Sequence, residues 1–559
     1  MHNSISIVLS GEAGQGLQII EDFLVETLAR ETYVFTSKEV MSRVRGGNNS
    51  VEIRISAKPV DALRYTIDAL FLFNEHSLKR MLPRLTPQTL IYGESNFISD
   101  EDKKHLIFCE VPLSDMAKQA GNKLFINTVL FGYIAGLLDI NTKNATEQIR
   151  SRFAKLGEET VAGNLKAFDL GYVLGNADPK KPKREIPDGF IAQKVYTGNH
   201  ALVIGALAGG VNYLAAYPMS PGTSVMSMLA EKSHAFGVLV EQAEDEIAAL
   251  NMVQGAWYAG ARAMTTTSGG GFALMSEAVS LAGMTETPAV IHVAQRPGPA
   301  TGLPTRTEQA DLNLVIYAGH GEFPRLVYAP ATIEDGVELA ARAFWMADKY
   351  QIPVFLLSDQ YWLESMVAAS PTLPEQYLER FIVTTKGDYQ RYAFDASGIS
   401  PRGIPGLGAG FVKVDSDEHD ESGAITESFD MRVNMHEKRL GKFKLMLSDE
   451  VEPRIYGNKD AKHLLVGWGS TFGVLREYVD MHPDTAVVQL RQVFPLPASL
   501  EATLRNAQSV IVIENNATGQ LANLMQMKFA KKFDQRILKY NGEPFFIDEL
   551  ERRIQEVKA

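Results

Sequence analysis

Short β-branched apolar runs recur along this chain, each closed by glycine, serine or asparagine and followed by a stretch with helical spacing. That repeat constrains the fold more than any other feature. The first run, SISIVLSG, reads as a buried parallel strand, and LQIIEDFLVETLARE after it places its apolar residues on one helical face. YVFTS, NSVEIRIS, ALFLFN, TLIYG and HLIFCEV continue the alternation to about residue 175. GNADPKKPKREIPDG then breaks it with proline, glycine and charge, as an exposed linker does. A second series opens near GNHALVIGALAGGVNYLAAYPMSPGT and runs through ARAMTTTS, PAVIHVAQR, PRLVYAP and IPVFLLSD. A third follows KHLLVGWGS through AVVQL and SVIVIENN. Strands alternating with helices predict an α/β, multidomain protein. The expected division is 1–175, a linker at 176–195, 196–370, an irregular stretch at 371–455 rich in glycine, proline and acids, and 456–559. At 559 residues, 45% apolar, the chain is too long for a single hydrophobic core.

Composition narrows the function. The formal charge of -12, with acids and bases interspersed, offers no basic patch and argues against a nucleic acid partner. No stretch approaches the roughly 20 apolar residues of a membrane span, and MHNSISIVLSGEAGQG lacks a basic leader, so a cytoplasmic protein without a membrane partner is expected. The single cysteine, Cys109, excludes an internal disulfide framework and cannot ligate an iron–sulfur cluster alone. Its run HLIFCEV reads as a home for a buried structural thiol.

Three stretches carry chemistry. Gly11, Gly14 and Gly16 in GEAGQG follow the first strand, where glycine lets backbone N–H groups at a helix start approach a phosphate. The spacing departs from the dinucleotide fingerprint, so close strand–helix packing explains it equally. Arg43 and Arg45 precede Gly46 and Gly47, a pattern that suits phosphate or a solvated loop. Most informative is VLVEQAEDEIAALNMVQGAWYAGARAMTTTSGGG, in which Glu241, Glu244, Asp245 and Glu246 crowd the start of a small-residue helix. Attraction of first-turn acids to the helix dipole accounts for one or two of the four. The spacing from Glu246 to Gly255 resembles the pyrimidine-binding domains of thiamine-diphosphate enzymes, where a glutamate activates the cofactor's aminopyrimidine. The chain has no GDG motif to accompany Asn48–Asn49 or Asn515–Asn516, so no magnesium–diphosphate site is expected in it. A thiamine diphosphate bound here would then be shared with a partner subunit at an interface.

YPMSPGTS at 217–224 resembles the YPITP motif of the 2-oxoacid:ferredoxin oxidoreductases. QRPGPATGLPTRTEQADL at 295–312, SPRGIPG, SDEHDESGAITE and the ending IENNATGQL resemble that family's alpha subunit, most closely the 2-oxoglutarate enzymes. GEAGQG with RGGNNSVEIRIS resembles the start of its gamma domain. The resemblance implies a gamma-type α/β domain, a pyrimidine-binding domain and a transketolase-C-terminal-like domain, in that order. It implies coenzyme A-dependent oxidative decarboxylation of a 2-oxoacid, with 2-oxoglutarate to succinyl-CoA as first choice and pyruvate or branched-chain substrates as alternatives. Glu246 would activate the cofactor, while Ser220, Thr223, Arg296 and Arg306 would bind substrate, with Thr301 and Thr305 nearby. Gly11, Gly14, Gly16, Arg43 and Arg45 would contact cofactor, coenzyme A being the candidate ligand. A beta subunit would hold Mg2+ and a [4Fe–4S] cluster, ferredoxin would take the electrons, and two alpha–beta pairs would assemble. A non-oxidative transketolase-like activity and a nucleotide-binding regulatory subunit are the competing functions.

Overall fold

The computed structural model describes residues 4–41 and 47–558, so Arg43 and Arg45 lie outside the described residues. The chain forms two units. One gathers 1–196, 364–370 and 545–559; the other gathers 197–363 and 371–544.

The first unit is built on an eight-stranded sheet. Its strands are β1 (Ser4–Glu12), β2 (Tyr33–Glu39), β3 (Asn48–Ser56), β4 (Ile67–Leu72), β5 (Leu85–Gly93), β6 (Ile107–Glu110) and β7 (Lys194–Tyr196), with Met366–Ala369 as the eighth. The order is β6-β5-β4-β1-β3-β2, then Met366–Ala369, then β7. β1 runs parallel to β4 but antiparallel to β3, and β2 is antiparallel to β3. The expected helix-linked alternation therefore fails around β3. The links on either side of it are too short for the crossover a parallel neighbour requires. Pleat alternation divides the apolar residues of β1, with Ile7 and Leu9 facing one cluster and Val8 the other. On the first face, Ile126–Leu137 packs against Glu158–Asn176 at glycine pairs: a Cβ on Gly171 would fall 2.0 Å from the Val129 carbonyl oxygen, and one on Gly132 would fall 2.1 Å from that of Phe168. Cys109 is half-buried on β6, and burial raises its thiol pKa.

In the second unit a seven-stranded sheet contains β8 (Tyr213–Ala216), β9 (Leu239–Gln242), β10 (Ala263–Ser268), β11 (Ala289–Gln295), β12 (Leu326–Tyr328) and β13 (Pro353–Asp359). They lie in the order β9-β8-β10-β11-β13-β12, all parallel, with Gln492–Phe494 antiparallel at the far edge. After β8 the chain adds β9 on one side and β10 on the other. A crevice at such a reversal, beyond the carboxyl ends of the strands, is where open α/β sheets bind ligands. A five-stranded sheet, whose central strand His463–Trp468 pairs with Thr485–Leu490 on one side and Ser509–Glu514 on the other, completes the unit. The stretch 371–455 contains one long helix, Phe429–Leu445. It is pinned where Lys438 and Lys442 approach buried Glu286 at 2.8 and 2.6 Å.

One buried acid in the first unit makes its stability depend on pH. Glu21, with no solvent exposure, accepts a hydrogen bond from Thr36 at 2.8 Å, beside the Lys38–Glu364 ion pair at 2.9 Å. Burial raises its pKa from 4.5 to about 7, against the opposing pull of Lys38 and Thr36. The folded state therefore holds the proton more tightly than the unfolded chain, and its stability falls as pH rises from 4.5 to about 7. Glu21→Gln should remove this slope and stabilise the first unit at pH 8 by on the order of 3 kcal/mol, with little gain at pH 4. Urea unfolding at both pH values checks it, and an equal gain at each would contradict it.

Candidate active site

The loops after β8, β9, β10 and β11 converge at the reversal of strand order. β9 is an exposed edge strand, and the four acids that follow or belong to it separate by role. Glu241 and Glu244 are exposed. Asp245 caps the helix Glu246–Tyr258 by accepting from the Ala248 N–H at 2.7 Å, the ordinary use of an acid at that position. Glu246 alone is buried, and its Oε1 has no hydrogen-bond partner among the described residues. It sits against the glycine turn after β10, where a Cβ on Gly271 would fall 2.4 Å from Glu246 Oε1 and 2.2 Å from Thr267 Oγ1. The last glycine of GGG after TTTS is therefore a space requirement imposed by Glu246 and Thr267.

YPMSPG leaves β8 and folds over the end of β10. Ser268 Oγ donates to Met219 Sδ at 2.7 Å, and Thr266 Oγ1 donates to the Gly222 carbonyl at 3.1 Å. Arg296, the first residue after β11, donates from Nη1 to the Ser220 carbonyl at 2.7 Å, with Nη2 3.9 Å from Met219 Sδ. Arg296 and Ser220 are thus brought together, with the Ser220 side chain exposed. Thr223 begins the helix Thr223–Phe236 that leaves the same loop.

Arg306 lies further along the β11 loop. A Cβ on Gly542 would fall 3.3 Å from Arg306 Cβ, so the two backbones pass closely. Burial lowers the Arg306 pKa, and Glu543 opposes the shift. The loop is laced to the C-terminal sheet. The Gln309 N–H donates to the Asn515 carbonyl at 2.7 Å, the Asn515 N–H returns a bond to Gln309 Oε1 at 3.1 Å, and Asn516 Nδ2 donates to the Gln309 carbonyl at 3.1 Å. The asparagine pair at the end of SVIVIENN is a clasp for this loop.

Asp311 was not legible in the sequence. Its carboxylate packs where any side chain on Gly269 would collide, at 2.1 Å, and its N–H donates to Gln295 Oε1 at 3.0 Å. Burial pushes Asp311 up to about 6, and Arg296 draws it back. Glu308 is pushed up to about 7, by burial and then by Asp311. Burial also lowers the Arg296 pKa, opposed by Asp311.

Gly11, Gly14 and Gly16 occupy the turn after β1 in the first unit. Gly14 and Gly16 have φ of 88° and 78°, which favour glycine. Gln15 closes that turn, accepting from the Glu12 N–H at 2.6 Å and donating to the Phe73 carbonyl at 3.2 Å. Among the described residues no helix is long and apolar enough to cross a membrane, and no cluster of three or more His, Cys, Asp or Glu side chains is arranged to hold a metal.

Residues 204–438 match the family model described as pyruvate flavodoxin/ferredoxin oxidoreductase, thiamine diP-bdg, and 6–174 match pyruvate ferredoxin/flavodoxin oxidoreductase. A 2-oxoacid:ferredoxin oxidoreductase subunit alpha from a Sulfolobus species is 29% identical over 99% of this chain and 97% of its own length. The 2-oxoglutarate oxidoreductase subunit KorA of Mycobacterium tuberculosis is 32% identical over 78% of this chain and 68% of its own. A solved structure, the 2-oxoglutarate:ferredoxin oxidoreductase of Magnetococcus marinus with 2-oxoglutarate, coenzyme A and succinyl-CoA bound, is 31% identical. It covers all of both chains with a TM-score of 0.93. The chain belongs to the 2-oxoacid:ferredoxin oxidoreductase alpha-subunit family. It is an oxidoreductase subunit carrying a thiamine diphosphate-binding domain.

A buried carboxylate with an orphaned oxygen fits the aminopyrimidine of thiamine diphosphate, which offers hydrogen-bond donors and acceptors to such a group. Glu246→Gln should leave assembly of this oxidoreductase intact and lower kcat at least tenfold. Gly271→Ala, whose methyl group displaces the Glu246 carboxylate, should act in the same direction. Steady-state turnover of the assembled enzyme checks both, and full activity in Glu246→Gln would hand the role to another acid.

Proposed function

We propose that this chain is the alpha subunit of an enzyme that converts 2-oxoglutarate and coenzyme A to succinyl-CoA and carbon dioxide, passing electrons to ferredoxin. The observation that carries the reading is the meeting of Arg296 with the Ser220 loop at the mouth of the sheet, with a second arginine, Arg306, ten residues along the same loop. A dicarboxylate needs two separated cationic anchors. Arg296 would hold the carboxylate beside the ketone through its planar fork, and the Ser220 hydroxyl would donate to the same end of the substrate, with Thr223, Thr301 and Thr305 near it. Arg306 would hold the distal carboxylate.

Glu246 would hold the aminopyrimidine of thiamine diphosphate, and the cofactor, when bound, supplies the electron sink for loss of carbon dioxide. The beta subunit would contribute the diphosphate-binding half with Mg2+ and the [4Fe–4S] cluster, two alpha–beta pairs forming the assembly. Gly11, Gly14 and Gly16, with Arg43 and Arg45, would contact coenzyme A. The domain assignment carried with this reading is 1–175 gamma-type, 176–195 linker, 196–370 pyrimidine-binding, 371–455 inter-domain and 456–559 transketolase-C-terminal-like. The KorA relatives and the Magnetococcus marinus enzyme, named for 2-oxoglutarate, support this substrate over pyruvate.

The assembled enzyme, assayed with a 2-oxoacid panel, coenzyme A and a viologen acceptor, should prefer 2-oxoglutarate. A charged hydrogen bond contributes roughly 1.5–3 kcal/mol, so Arg306→Met should lower kcat/KM for 2-oxoglutarate by about one to two orders of magnitude and spare 2-oxobutyrate. Arg296→Met should harm both alike. Equal losses in Arg306→Met return that arginine to a structural role, and turnover by an iron-free preparation sinks the oxidoreductase chemistry. The alpha chain alone should bind thiamine diphosphate and Mg2+ only weakly. Micromolar affinity by calorimetry would contradict this.

A further inference from the structure

His292 lies at the centre of β11 with no solvent exposure. Its ring is nonetheless bonded at both nitrogens to neighbouring strands. Nδ1 is 2.8 Å from Thr266 Oγ1 on β10, and Nε2 is 2.8 Å from Ser358 Oγ on β13. Thr266 Oγ1 in turn lies 3.1 Å from the Gly222 carbonyl, in the loop that carries Ser220.

The protons in this line follow from its last member. A carbonyl oxygen only accepts, so the Thr266 hydroxyl donates to Gly222 and must accept from His292 Nδ1–H. Nε2 is then bare and accepts from the Ser358 hydroxyl. The imidazole is a single neutral tautomer, in keeping with burial that lowers its pKa to about 3. A buried histidine in a sheet otherwise dominated by apolar and small side chains needs such partners to be tolerated. Gly222 is also pressed onto β10: a Cβ there would fall 2.9 Å from Thr266 Oγ1 and 3.1 Å from the Thr267 carbonyl oxygen.

We infer that Ser358, His292 and Thr266 form a hydrogen-bonded wire across three parallel strands that sets the height of the Ser220–Gly222 turn, making them positioning residues for the 2-oxoacid. From above, Arg296 holds the Ser220 carbonyl; from below, Thr266 holds the Gly222 carbonyl two residues later. The turn is fixed at both ends while the Ser220 hydroxyl stays exposed. The inference rests on the proposed role of Ser220 and Arg296 in substrate binding. Its signature is a change in capture of substrate, because no member of the wire touches the reacting atoms.

In the assembled enzyme, Thr266→Val keeps the shape and deletes the hydroxyl. A neutral hydrogen bond of ordinary strength corresponds to roughly a three- to tenfold change, so the KM for 2-oxoacid should rise by about that factor with kcat within twofold of the parent. Thr266→Ser should return KM to within twofold, which loss of packing alone would not do. Ser358→Ala should raise KM in the same direction, and its effect should not add to that of Thr266→Val, since both cut one wire. This second variant keeps the test alive if Thr266→Val fails to assemble. An unchanged KM in Ser358→Ala and Thr266→Val, or fully additive effects, overturns the wire. Arg296→Met serves as the control: if it leaves KM unchanged, the substrate-loop reading fails, whereas a raised KM there with no effect of the other two variants removes only the wire.

Discussion

Parallel pairing of β8, β10, β11 and β13 is the constraint from which the site follows. It sends three of the loops that carry candidate residues out of the same edge of the sheet: YPMSPG after β8, the glycine turn after β10, Arg296 one residue beyond β11. The strands are buried on both faces, so their side chains cannot reach solvent, and polar chemistry is confined to their ends. Within that geometry two kinds of contact give the site its shape. Donors from beneath, such as Thr266, hold carbonyls of the loops, and glycines at 222, 269 and 271 leave room for the groups that matter.

The β11 loop shows how a second domain-like layer completes what a single sheet starts. A run with five glycine or proline residues between Arg296 and Arg306 has little helical or strand preference of its own. The stretch just beyond Arg306 is held from outside: Asn515 and Asn516 bind both sides of Gln309, and Gln520 donates to the Ala310 carbonyl at 2.7 Å and accepts from the Asn313 N–H at 2.8 Å. Asn516 is itself oriented by Glu514, whose buried carboxylate also accepts from the Leu521 and Ala522 N–H groups. A chain of buried polar hydrogen bonds thus runs from the third sheet to the stretch just beyond Arg306, and such networks rigidify what they hold.

Much of this was legible in the residues. The alternation of short β-branched runs and helical spacing identified β8, β10, β11 and β13, because buried parallel strands carry no competing polar pattern. The crowding of acids before a small-residue helix pointed at Glu246. Its spacing to Gly255 singled out Glu246, while the use of Asp245 as the helix cap, accepting from the Ala248 N–H, is visible only in the structure. Asp311, Gly269 and Gly271 escaped for a different reason: their meaning lies in contacts between segments some 25 to 42 residues apart. The antiparallel pairing of β1 with β3 escaped because the apolar run of β1 fits either direction of pairing. His292 escaped because one histidine in an apolar strand is indistinguishable, along the chain, from a buried residue with no role.

Arg296 brings the electrostatics of the site to a point. Its hydrogen bonds are to a carbonyl and a thioether, both neutral, and its Nε has no partner among the described residues. Asp311 attracts it, yet burial outweighs that attraction enough to raise the Asp311 pKa to about 6. If the two were a tight ion pair, attraction would dominate and the acid would fall below its ordinary value. The guanidinium is therefore held in position by dipoles without being neutralised by them. Under the role proposed for it, a cation kept nine-tenths buried in this way, at the mouth of a parallel sheet, would retain its largest gain for the substrate carboxylate, because the cost of orienting and desolvating it has been met by folding.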